Sequence, residues 1–169
     1  MQKARIGEVD SWMGPASVKR SLTRALGAED VSMNYYELEP GESFAFGYHR
    51  HEGQEEVFYV LEGEATFETG EPRSPREDGG TANEEGDVAV GAGEAVRFGP
   101  GEWQQGWNRG EERVRALALG APQESGETTI LRDCPDCGER TEQDVQRAED
   151  ADALVTVCVD CGAETGRFR

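Results

Sequence analysis

The chain is short of lysine, short of histidine and without a long apolar run, and each shortage removes a class of function. Its 17 basic residues include only two lysines, Lys3 and Lys19, and they face 35 acidic residues for a net charge of −18. Nucleic-acid backbones and anionic membranes are both bound by clustered cations, so neither is an expected partner. The longest apolar stretches, around VFYVL and ALAL, fall far short of the roughly 18–20 residues a spanning helix needs. The opening MQKARIGEVDSWMG carries no apolar stretch after its basic residues, so no secretory signal is expected and the cytoplasm is the expected location.

A charge of −18 repels itself in dilute buffer and is screened in concentrated salt, where the Debye length falls to about 3 Å. Acid-rich, lysine-poor composition resembles that of haloarchaeal, salt-adapted proteins; an acidic protein of ordinary salt habit is the alternative. The length of 169 residues suits one domain plus a small appendage.

The texture changes along the chain. In residues 1–29, SVKRSLTRALG spaces Val18, Leu22 and Leu26 four apart and stops at Gly27, which predicts a short amphipathic helix. From Val31 the runs are short, aromatic and β-branched: VSMNYYEL, SFAFGYH, EEVFYVL, EATFET, DVAV, EAVRF, QQGWN and RVRALAL, most of them separated by glycine turns. About eight short strands at such spacing predict an all-β sandwich or barrel over residues 30–120. The stretch 70–86 has no apolar residue but Ala82 and reads as a solvated excursion between strands. Residues 121–129 read as a polar linker, and 130–169 hold all four cysteines.

GYHRHEGQEEVFYVLEG, residues 47–63, contains both histidines. His49 and His51 share a strand face because strand side chains alternate. Glu56 lies an odd five residues on; Gly53, which can take φ > 0, offers a turn that would reset the parity and bring it back. The strand from Glu56 is apolar on both faces and is expected to be buried on both. A carboxylate at the start of such a strand is costly to bury unless a cation or a donor meets it.

This stretch resembles the first motif of the cupin superfamily: HxH, four residues, Glu, six residues, Gly, here His49, His51, Glu56 and Gly63. The usual upstream glycine is displaced, with Gly41 and Gly47 nearest. GEAVRFGPGEWQQGWN resembles the second motif, with Gly93, Gly101 and Asn108 in place, Gly99 where proline is usual, and Gln104 where a third histidine is usual. The resemblance implies a six- to eight-stranded jelly-roll barrel with the site inside, and a homodimer by analogy alone. It also implies a divalent metal, Fe, Mn, Ni or Zn, held by His49, His51, Glu56 and the amide oxygen of Gln104. Two imidazoles and one carboxylate leave open positions for a ligand. The alternative is a metal-free barrel in which the same four side chains form a hydrogen-bonded cluster.

Other chemistry finds little support. Glu55 and Glu56 are adjacent and cannot both face the interior, so paired-carboxylate catalysis is not expected. Tyr35, Phe44, Tyr48, Trp103 and Trp107 are expected mainly as barrel core, with a small apolar pocket as the alternative. Arg97 is expected in solvent or at an interface rather than against an anionic ligand.

CPDCG, residues 134–138, and CVDCG, residues 158–162, are two C-x-x-C pairs. Cytoplasmic disulfides are disfavoured, and four thiolates suit tetrahedral Zn²⁺ at Cys134, Cys137, Cys158 and Cys161. Gly138 and Gly162 let the backbone curl so that amides point at the sulfurs. The segment resembles a zinc ribbon. About 40 residues rarely fold without a staple, and a structural zinc supplies roughly 10–16 kcal/mol. Its five arginines against ten acidic residues favour a protein partner, or plain stabilisation, over nucleic acid.

The expectation is an all-β chain, a cupin jelly-roll barrel followed by a small zinc-ribbon domain, that binds a small molecule in the barrel. A cupin-type dioxygenase or sugar isomerase, and a metal-free structural cupin, are the alternatives.

Overall fold

The computed structural model describes residues 1–72, 86–149 and 152–169. The excursion expected at 70–86 falls largely outside them. A 3₁₀ turn, Ile6–Glu8, precedes β1 (Val18–Ser21), α1 (Leu22–Leu26), β2 (Ser32–Leu38), β3 (Tyr48–His51), β4 (Glu55–Glu62) and β5 (Glu64–Thr69). Then come β6 (Val88–Gly91), β7 (Ala95–Phe98), β8 (Gln104–Trp107) and β9 (Val114–Ala121). The cysteine segment adds β10 (Thr128–Cys134), β11 (Glu139–Arg147), β12 (Leu154–Cys158) and β13 (Glu164–Phe168).

The strands form two sheets, ordered β1-β2-β9-β4-β7 and β13-β12-β11-β10-β3-β8-β5-β6. Alternation is clearest on β9, where Val114, Ala116 and Ala118 are buried and Arg115, Leu117 and Leu119 are only half-buried. The core between the sheets is built on Leu38, Val60, Phe67 and Ala116, each fully buried. Phe44, Phe58, Phe67 and Phe98 pack there, with the Phe58 and Phe67 ring centroids 4.9 Å apart. Burying one such ring is worth about 1.5–3 kcal/mol. Gly106 makes room for them: a Cβ there would lie 2.5 Å from Phe67.

Three local expectations change. The helix is confined to Leu22–Leu26, and Val18 lies in a strand instead, because β1 pairs with β2 from Val18 through Ser21. Ser21 caps the helix by accepting from the Arg24 amide, and Gly27 ends it at φ 65°. Strand β4 is not buried on both faces. Phe58 and Val60 point inward, while Tyr59 and Leu61 are 39% and 42% exposed on the outside. Gly53 is not left-handed. The chain needs no parity reset there, because the turn carries it from one sheet to the other.

Strand β10 belongs to both parts of the molecule. It starts at Thr128, inside the stretch expected as linker, and pairs with β3 on one side (Thr128↔His51, Ile130↔His49) and β11 on the other. At this seam a Cβ on Gly47 would sit 2.5 Å from the Leu131 carbonyl oxygen. The far end of the sheet has little apolar core, a cluster of Ala148, Ala153 and Val155. A polar network stands beside it. Gln143 donates to the Thr141 hydroxyl at 2.8 Å, and the Thr165 hydroxyl donates to Gln143 Oε1 at 2.6 Å.

Candidate metal centres

The barrel site is assembled from both sheets. His49 and His51 project inward from β3, and Glu56 reaches them from the start of β4 on the facing sheet. Glu56 Oε2 lies 3.9 Å from His49 Nε2 and 3.7 Å from His51 Nε2. One ligand atom from each of the three lies within 4.8 Å of the others. Donors bonded to a first-row metal at about 2.1 Å stand roughly 3.0–3.4 Å apart, so the group would have to draw in by up to about 1 Å at the carboxylate to bind one.

The other ring nitrogens are taken. His49 Nδ1 is 3.1 Å from the Gly47 carbonyl oxygen, which requires Nδ1 to carry the proton and leaves Nε2 as a lone pair. His51 Nδ1 is 2.9 Å from the Thr128 hydroxyl, on the strand that leads to the cysteines. Such partners fix a ligating imidazole's tautomer and orientation. Burial, then the neighbouring His49, push the His51 pKa down, so its ring is neutral at neutral pH.

Gln104 completes the cluster from β8, directly across from His49. Its Nε2 donates to Glu56 Oε2 at 2.9 Å and lies 3.0 Å from His49 Nε2, while its Oε1 is buried without a partner. Here the amide serves as a donor to two candidate ligands. Rotating its terminal group would present the orphaned oxygen instead, so the side chain fits either role. Glu55 points outward to Arg97, whose Nη2 lies 2.6 Å from it.

A cavity of about 260 Å³ opens over the triad, with Phe44, Phe58 and Tyr36 on its apolar side. The other expected pocket aromatics lie elsewhere. Tyr48 and Trp103 stack on each other with centroids 5.6 Å apart, and Tyr35 donates to Glu37. Ser125, Thr128 and Ile130, from the approach to the cysteine segment, form part of the wall. Lys19 also lines it, from β1. Sequence reasoning passed over Lys19, although its rarity in a chain with two lysines was a visible signal. Asn108, by contrast, is a brace. Its Nδ2 donates to the carbonyls of Leu38 and Glu112.

The cysteines converge on the second site. Cys134 Sγ lies 3.6 Å from Cys161 Sγ, and Cys137 Sγ 3.8 Å from Cys158 Sγ, with all four within 4.8 Å of one another. A tetrahedron with zinc–sulfur bonds of 2.3 Å has edges of about 3.8 Å, so the donors fit Zn²⁺. Gly138 and Gly162 are left-handed, at φ 71° and 77°. Their amides close tight turns onto the carbonyls of Cys134 and Cys158 instead of pointing at sulfur. The amides of Asp160 and Cys161 face Cys158 Sγ instead. Together with the Thr141 hydroxyl, first in effect at 3.2 Å, they lower its pKa to about 6.

Comparison with known proteins agrees with this architecture. A family model described as "Cupin domain" matches residues 34–120. A sugar phosphate isomerase from a cupin superfamily of Silicibacter pomeroyi is similar, at 18% identity and TM-score 0.58, over 96% of this chain and 91% of that one. An oxalate oxidase in complex with glycolate is similar at 18% identity and TM-score 0.54, over 76% and 62%. The oxalate decarboxylase of Bacillus subtilis, described with Mn(II) centres, is similar at 16% identity and TM-score 0.55, over 75% and 31%. A comparison with curated proteins found no match. Among the described residues no helix is long and apolar enough to cross a membrane.

Proposed function

This chain belongs to the cupin-domain family, and from that premise we propose that it is a metal-dependent small-molecule binder with a separate structural zinc. His49, His51 and Glu56 hold a divalent ion, Fe, Mn, Ni or Zn, with the Gln104 oxygen as a fourth donor. Cys134, Cys137, Cys158 and Cys161 hold Zn²⁺ in a ribbon. One observation supports the barrel site above the rest. Both Nε2 atoms face one carboxylate oxygen, at 3.9 and 3.7 Å, while both Nδ1 atoms are engaged elsewhere. That orientation supports a ligand role for both rings, beside a cavity able to admit a small molecule.

Two other readings each have an observation in their favour. Three ligands leave coordination positions open beside the cavity, as a dioxygenase or sugar isomerase requires. A bound metal there would supply Lewis acidity, and this chain's part would be to orient the ligand and exclude water. The hydrogen bonds from Gln104 to the triad favour the metal-free barrel instead. The exposed Tyr59 and Leu61 on β4 support a homodimer, which sedimentation would report. Salt adaptation rests on the charge of −18, and melting temperature across a salt series tests it. A cytoplasmic location and a protein partner for the ribbon rest on sequence alone.

The deciding experiment is elemental mass spectrometry on the full chain, purified without chelator or histidine tag. Two metals per chain are expected, one of which disappears in H49A/H51A. A single zinc in both proteins would reject the barrel metal.

A further inference from the structure

Lysine is nearly absent from this chain, yet one of its two lysines stands in the cavity over the triad. Most arginines that appear in ion pairs sit at the surface: Arg97 with Glu55, Arg113 with Glu37 and Glu39, Arg115 with Glu62. Lys19 is different. Its partner is a neutral phenol: it is hydrogen-bonded to Tyr36 and stands 5.5 Å from that ring's centroid, with Glu56 as the carboxylate that acts on it from farther off. An ammonium has three protons to donate. One partner for three protons leaves this half-buried ammonium with donors to spare, in a protein of net charge −18, and a small anion is what they suit.

The rest of the wall points the same way. Beside Lys19 lie Ser32 and Asn34, both neutral, and the acidic residue of the lining is Glu56. A divalent ion on the triad would outweigh the Glu56 charge, so the loaded cavity would be positive inside an otherwise acidic protein. Small oxyanions are the ligands such a cavity concentrates.

On the metal-site reading above, we propose that Lys19 is the anion-holding residue of the barrel, and that the ligand is a small organic molecule bearing a carboxylate or a phosphate. The charged group sits against Lys19 and Asn34, and the remainder of the molecule faces the triad. Lys19 acts as a binding residue, with its proton retained. Next to Tyr36 its pKa is raised, which keeps the ammonium charged at neutral pH.

The test uses the full chain loaded with the metal it carries on purification. Glycolate and glycerol phosphate serve as anionic probes, and glycolamide and glycerol as their neutral counterparts, each titrated by calorimetry. At least one anion is expected to bind and neither neutral molecule; which anion wins separates carboxylate from phosphate. K19M is expected to weaken the anion at least tenfold with metal content unchanged, and K19R to recover part of the loss. A second readout needs no variant. Acetylation of wild-type protein, read by mass spectrometry, is expected to slow at Lys19 when the anion is present and to proceed unchanged at Lys3. Equal anion affinity in wild type and K19M, or equal affinity for anion and neutral probe, overturns the assignment. A metal-loaded wild type that binds neither anion overturns it too, and leaves the metal site standing. Anion binding that depends on Lys19 in a barrel without metal upholds the assignment and rejects the metal.

Discussion

The two candidate metal centres are built by opposite strategies. In the cysteine segment, each pair of donors sits on one tight turn, closed by a left-handed glycine whose amide donates to the first cysteine's carbonyl. Four thiols gather within 4.8 Å of one another, enough donors to complete a tetrahedral ion and leave nothing open. In the barrel, two donors come from one sheet and one from the other, and a cavity stands over them. A closed site made of local turns is suited to holding a fold together. An open site made across a barrel exists only once the barrel has formed, and it is suited to meeting a ligand. The packing beneath them differs correspondingly: a cluster of phenylalanines in the barrel, a few small apolar residues and a threonine–glutamine network beside the cysteines.

The largest effect should come from breaking the closed site. C134S removes a donor from a centre where a structural zinc would be worth roughly 10–16 kcal/mol. Hydrogen exchange should then show β11, β12 and β13 losing protection, while β2, β4 and β9 keep theirs. Uniform loss across the chain would mean that the two parts fold as one and that the cysteine centre holds the barrel as well.

A smaller effect should follow from cutting the thread between the sites. Thr128 sits on β10, six residues before Cys134, and holds His51 Nδ1 at 2.9 Å. Removing such a partner typically costs 10–100-fold in metal affinity. T128V is expected to weaken the barrel metal by that factor and to leave the zinc alone, as a chelator competition would show. Unchanged affinity would mean that His51 is held by its own strand.

The smallest expected change has the opposite sign. Q104H places an imidazole where an amide now donates to Glu56 and His49. Imidazole is the better ligand for first-row metals, so affinity should rise about tenfold. A fall would show that the Gln104 hydrogen bonds to the triad matter more than a further donor.

Much of this was legible in the residues, for reasons that differ by element. The C-x-x-C pairs carry their geometry with them, because two donors three residues apart around a turn have few ways to lie. The first barrel motif was legible as spacing, yet the mechanism inferred for it was wrong in one respect. Glu56 joins the histidines by crossing between sheets, not by a left-handed Gly53. The outer face of β4 was misread because Val57, Tyr59 and Leu61 look like core to any count of apolar residues. Which face meets a second layer depends on the neighbouring sheet, and among the described residues Tyr59 and Leu61 stay 39% and 42% exposed.

The sequence by itself determined the strand-rich architecture and the spacing of the two candidate donor sets, and its composition set the net charge. All of these follow from alternation, short-range spacing and net composition, which need no partner in space. Only the tertiary structure decided that Lys19 stands over the triad, that Thr128 orients His51, and that β10 serves both the barrel and the cysteines. Those contacts join residues far apart in the chain, such as Leu131 and Tyr48, and they are fixed by sheet pairing and closure of the barrel, which no local pattern encodes.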